Sequence, residues 1–152
     1  MIRAYAPHVP ALIVRPANVY GPGGHPTTLI PELMAQARAG APVRPRDPEA
    51  FVEPVHVDDV ALALCAALAL ALDGPPRVQG GVFGAGGAIA VKAGRLAAFI
   101  EALRDGRAES EDPGGDGERE IPAGIGPPRV PEWQPRTRWR EGVTSLWRQQ
   151  GA

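Results

Sequence analysis

Three short segments of this 152-residue chain hold residue types that could do chemistry. The first is Arg15-Pro16-Ala17-Asn18-Val19-Tyr20-Gly21-Pro22-Gly23, which follows the apolar run Ala11-Leu12-Ile13-Val14. Such a run suits a buried strand of a parallel sheet, and ligands of open α/β sheets bind at the carboxyl ends of their strands. Asn18 carries both a donor and an acceptor, so it can hold a sugar hydroxyl or a phosphate oxygen. An asparagine in this setting can equally close its own turn, and both readings stand. The second segment, Gly81-x-x-Gly84-x-x-Gly87, matches a dinucleotide-binding glycine pattern by its letters. Pro75 to Gly80 makes a poor strand before it and no second βαβ half follows, so a structural turn is expected. The third is His56 beside Asp58 and Asp59, which by composition suggests acid–base work or a metal. Asp58 is better used as a helix cap, and one His with two acids makes a poor metal site, so a structural role is expected. Cys65 stands in an apolar helix, where thiols are inert.

The elements that must position these residues follow from the pattern. A helix from Thr27 or Thr28 to about Arg38 stops at Gly40. A proline-interrupted stretch then leads to a second strand, Val55-His56-Val57. Asn18 to Pro26 reads as a loop by composition. The helix Val60 to Leu72 is apolar almost all round and is therefore expected to be buried. At 13 residues that run is too short to span a bilayer core of about 30 Å. A short strand and a glycine turn lie at Gly81 to Gly87, followed by a helix from about Lys92 to Arg104. Trp139, Val143, Leu146 and Trp147 mark a final amphipathic helix. Between Asp105 and Glu120 seven acids stand against two arginines with no apolar periodicity, which predicts a solvated, flexible linker. The expected units are thus 1–104, the acidic linker 105–120, and a closing segment 121–152 of the same lobe.

Composition narrows the class. A net charge of −1 excludes the basic profile of a nucleic-acid or membrane-surface binder. One cysteine excludes a disulfide framework. Proline arrives at position 7 before an apolar leader can develop, so a cytoplasmic protein without a signal peptide is expected. The 19 glycines and 18 prolines fall mostly in the loop and turn segments above.

Four of these blocks, in this order, resemble the C-terminal part of the NAD-dependent epimerase/dehydratase family, the extended short-chain dehydrogenases/reductases. Leu12 to Gly23 looks like the family's strand and substrate loop. Val55 to Ala61 looks like its later strand and capped helix. Val82 to Gly86 is similar to its glycine turn. Trp133-x-Pro135 with Glu141-Gly142-Val143 looks like its closing signature. The resemblance implies an α/β fold: the C-terminal fragment of a Rossmann-like doubly wound sheet plus a small substrate-binding lobe. It implies that Asn18 contacts a nucleotide-sugar and that Pro16 and Ala17 line the nicotinamide. An arginine that commonly grips the diphosphate is replaced at Val52-Glu53-Pro54, and Arg129 is the candidate to supply that charge.

The family's Tyr-x-x-x-Lys pair is absent: Tyr5 is followed four residues on by Val9, and Lys92 is the only lysine. Met1 to Ala6 looks like the end of the helix that would carry the pair. The expectation is therefore the nucleotide-sugar-binding part of an NAD(P)-dependent epimerase/dehydratase, without catalytic residues and inactive alone. NAD or NADP would not be held tightly by this chain by itself. The alternative is a non-catalytic nucleotide-sugar-binding or subunit-pairing module. Expected partners are a nucleotide-sugar and either the N-terminal Rossmann half or a homodimer partner, with no nucleic acid and no membrane.

Overall fold

The computed structural model describes residues 11–73, 79–108, 117–121 and 126–150. The helix end expected at Met1 to Ala6 and the acidic run 109–116 lie outside them. The described residues form, in order, β1 (Ile13–Pro16), β2 (Asn18–Tyr20), α1 (Leu29–Arg38), β3 (Phe51–Val52), β4 (Pro54–His56), α2 (Val57–Asp73), β5 (Val82–Ala85), β6 (Ile89–Lys92), α3 (Ala93–Arg104), β7 (Glu118–Glu120) and α4 (Trp139–Gln149).

The strands form three small sheets. β1 pairs in parallel with β5, Ile13 opposite Val82, and β2 pairs in parallel with β4, Asn18 opposite Pro54. β6 lies antiparallel between β3 and β7. The chain steps from the first sheet to the second at Ala17, whose N–H bonds Ala85 O at 3.1 Å while the next N–H bonds Glu53 O at 3.1 Å. Asn18-Val19-Tyr20 is thus a strand, not the loop its composition suggests. The glycine segment also departs from a dinucleotide fingerprint, because it turns from β5 into strand β6 rather than into a helix. β7 takes in the last three residues of the stretch expected as linker. Arg95 and Arg140 both reach Glu118, at 3.2 and 2.5 Å, and fasten β7 to α3 and α4.

Two hydrophobic cores organise the described residues. One joins α1, α3 and α4 through Leu33, Met34, Leu96, Ile100, Trp139, Val143 and Leu146, with Tyr20 and Val91 beneath them. The other sets Val60, Ala63 and Ala67 of α2 on Val55, Phe83 and Ala85, with Val130 and Trp133 closing it. α2 corrects two expectations. It starts at Val57, so Asp58 lies inside the first turn and is no cap. Nor is the helix buried all round: its small residues face the core, whereas Leu64, Leu68 and Leu72 are 51, 61 and 64% exposed. An apolar sequence says that a helix has no polar face, and its neighbours decide which side is covered. Cys65 is likewise exposed, not enclosed.

Candidate functional site

The carboxyl ends of β1 and β5 open onto a cavity of about 680 Å³, within the range of small-molecule sites. Arg15, Pro16 and Ala17 arrive from the end of β1, Asn18 from the start of β2, and Gly84, Ala85 and Gly86 from β5 and its turn. Phe51 and Glu53 come from the β3–β4 region, and Arg129 from the segment running beside β5. The four residues singled out in the sequence for cofactor and substrate contact, Pro16, Ala17, Asn18 and Arg129, therefore share one crevice.

Local hydrogen bonding fixes each of them. Gly84 donates to Pro128 O at 2.7 Å and accepts from Val130 at 3.3 Å, so residues 128–130 lie alongside β5 like a third strand. This pairing carries Arg129 to the cavity wall, where its Nη2 donates to Gly87 O at 2.5 Å. Asn18 does not close its own turn: its Oδ1 accepts from Glu53 N–H at 3.0 Å. Its amide Nδ2 has no hydrogen-bond partner among the described residues. Gly86 lies close to the Glu53 carboxylate: a Cβ there would meet the carboxylate oxygen, so Glu53 would have to swing aside, and would make ordinary contact with Ala17 Cβ at 3.5 Å.

Phe51 and Glu53 were not foreseen as site residues. Phe51 is 38% exposed on the cavity rim, with Arg119 Cζ 3.8 Å from its ring centroid. The sequence carried no signal for either, because the exposure of Phe51 and its two-residue strand are visible only in the structure. Arg15, Arg119 and Arg129 give this side of the crevice a cationic character suited to phosphate oxygens, and Glu53 is the acid among them.

The histidine–carboxylate cluster is engaged structurally. His56 turns Nδ1 onto Asp58 N–H at 3.3 Å and packs edge-on against Tyr20, ring centroids 5.4 Å apart. Asp59 is 2% exposed and accepts from the N–H groups of Arg136 and Thr137, both at 2.9 Å. Burial alone would push this carboxyl up, but those bonds and the nearby His56 outweigh it and hold the group below the usual aspartate range. The Tyr20 hydroxyl donates to Trp139 O at 3.5 Å. Burial, with the negative charges of Asp59 and Glu141, pushes its pKa well above the ordinary tyrosine value. Tyr20 is therefore a protonated packing residue and not a base. Among the described residues, no three His, Cys, Asp or Glu side chains gather to hold a metal ion. No helix among them is long and apolar enough to cross a membrane.

The family model "NAD dependent epimerase/dehydratase family" matches residues 1–79. The chain belongs to that family. No curated protein matches it. Solved structures agree on the fold. WbmF from Bordetella bronchiseptica, in complex with NAD+ and UDP, superposes with a TM-score of 0.70 at 20% identity, covering 99% of this chain and 49% of that one. A dTDP-glucose 4,6-dehydratase from Bacillus anthracis, in complex with NAD, gives 0.69 at 19%, covering 99% and 48%. MoeE5, in complex with UDP-glucuronic acid and NAD, gives 0.64 at 22%, covering 99% and 52%. The chain thus spans about half the length of the solved structures it matches.

These matches correct the reading as a C-terminal part only. The family model aligns with the first half of the chain, from residue 1, and the solved structures align with almost all of it. The Rossmann-like α/β fold of the extended short-chain dehydrogenases/reductases runs across nearly the whole chain. Neither a C-terminal fragment of a doubly wound sheet plus a lobe nor a stand-alone C-terminal nucleotide-sugar-binding fragment describes it. In the structure one helix, α2, and one hydrophobic core serve both parallel pairs, joining Val55 of β4 to Phe83 and Ala85 of β5.

Proposed function

We propose that the chain acts in the NAD-dependent conversion of a nucleotide-sugar and that the crevice at the ends of β1 and β5 holds the ligand. The observation that carries this reading is the convergence of Pro16, Ala17, Asn18 and Arg129 on one cavity at strand carboxyl ends. Arg15 and Arg129 offer forked donors to the diphosphate. The amide Nδ2 of Asn18 donates to a sugar or phosphate oxygen. Pro16 and Ala17 present a wall without side-chain polar atoms, suited to a nicotinamide face and to keeping water from it. A nicotinamide held against Pro16 and Ala17 would supply a hydride acceptor for a sugar carbon. The single free Cys65 accords with a cytoplasmic setting.

Calorimetric titration of the chain with UDP-glucose and with NAD tests the reading. Saturable binding of UDP-glucose that Arg129→Ala weakens about tenfold or more is expected, as for loss of a charge-assisted bond. Binding of neither ligand, or UDP-glucose binding indifferent to Arg129→Ala, would overturn it.

A further inference from the structure

One charged group of the crevice has no use in the reading above, the half-buried carboxylate of Glu53. Its place is set by the backbone. The Glu53 N–H donates to Asn18 Oδ1 at 3.0 Å, and its C=O accepts from the Asn18 N–H at 3.1 Å. Along such an extended stretch, successive side chains take opposite sides. Val52 and Pro54 line a smaller cavity of about 310 Å³ beside β2, whereas Phe51 and Glu53 line the crevice. A Cβ on Gly86 would meet both the Glu53 carboxylate and Ala17 Cβ, so the carboxylate stands beside the wall that Pro16 and Ala17 form. Among the described residues it makes no hydrogen bond and no ion pair, although Arg15 and Arg129 line the same crevice.

We infer that Glu53 selects the sugar: it accepts from the hydroxyls of an uncharged hexose and rejects a uronate. The inference rests on the nucleotide-sugar reading of the crevice and names the class of sugar. A carboxylate only accepts hydrogen bonds, and it offers two oxygens side by side. Arg15 and Arg129 meet the charge of the diphosphate, so the group that reaches Glu53 belongs to the ligand beyond its phosphates. Neighbouring ring hydroxyls present two donors at the spacing of those two oxygens, and bonds to a charged acceptor are the stronger kind. A uronate in the same place sets carboxylate on carboxylate. Like charges held face to face are a means by which a site refuses a wrong ligand. Asn18 cannot make this distinction, because its Nδ2 donates to a hydroxyl or to a uronate oxygen alike.

Calorimetric titration of the full chain at neutral pH compares UDP-glucose, UDP-glucuronic acid and UDP-glucuronamide, the uncharged isostere of the acid. The wild type is expected to bind UDP-glucose and the amide with similar affinity, and the acid about tenfold or more weakly. Glu53→Gln keeps the backbone bonds to Asn18 and removes the charge. It is expected to weaken UDP-glucose about tenfold and to strengthen the acid, so that the gap between them closes. A merely structural role for Glu53 would lower all three affinities together. Should the variant fail to fold, the acid and the amide still decide on the wild type, since rejection of both would mean that the site measures size and not charge. Equal binding of acid and UDP-glucose, equal rejection of acid and amide, or a gap that Glu53→Gln leaves intact would overturn the inference while the nucleotide-sugar site stands. Binding of none of the three would overturn that site and the inference with it.

Discussion

Asn18 has two jobs that a single substitution can separate. Its Oδ1 holds the N–H of Glu53 across the β2–β4 pair, while its Nδ2 is left for a ligand. Asn18→Asp keeps the acceptor, so the strand pairing survives, but it deletes the donor and adds a negative charge where a diphosphate would lie. UDP-glucose affinity should fall about tenfold or more, as for removal of a hydrogen bond to a charged group. The thermal midpoint should stay within about 2 °C, because surface substitutions without structural bonds move stability by ~0.5 kcal/mol or less. Paired calorimetry and melting curves check both halves. A large loss of stability would mean that the amide, and not only the carbonyl, supports the fold. This division of labour was half legible in the sequence. The donor–acceptor chemistry of Asn18 could be read from its type, whereas its acceptor's use depends on Glu53, 35 positions away.

At the scale of elements, helices were the legible part. Leu96 and Ile100 of α3 and Val143 and Leu146 of α4 repeat at helical spacing, and both helices form where that pattern puts them. Strands of three or four residues are too short for alternation to register, which is why β2 and β6 were not seen. What α2 packs against could not be read either, since its sequence is apolar on every side.

The packing of α4 turns on Gly142, which faces Tyr20 within the first core. A Cβ at position 142 would stand 2.9 Å from Tyr20 Cζ and closer still to its hydroxyl oxygen. In an unpacked helix interior Gly→Ala would stabilise by about 1 kcal/mol. Here the clash with a 2%-exposed ring outweighs that gain, because a buried ring moves only by displacing its neighbours. Gly142→Ala is expected to lower stability by about 1–3 kcal/mol, and Tyr20→Leu in the same background should recover part of the loss. Urea unfolding midpoints of the single and double variants give the coupling; an equal effect in both backgrounds would show that the clash is not with Tyr20.

For the whole molecule, the decisive feature is the crossing between the two cores. Trp133 closes the core under α2, Trp139 belongs to the core of α1, α3 and α4, and the chain between them is tied by Asp59 to the first turn of α2. Asp59→Asn keeps one acceptor oxygen and leaves one of the two N–H groups of Arg136 and Thr137 without a partner. That should cost about 1–3 kcal/mol, a fall in Tm of about 2–4 °C per kcal/mol for a chain of this size. The same carboxylate makes stability depend on acid. Its native pKa is lowered, so the folded state binds the proton less readily than the unfolded state does. The contribution is complete above the unfolded aspartate value near 3.9 and is lost as pH falls through the lower native value. Urea midpoints of wild type and Asp59→Asn should therefore be well separated at neutral pH and converge in strong acid. A separation that persists unchanged below the native pKa would show that the tie between the cores does not depend on the charge of Asp59.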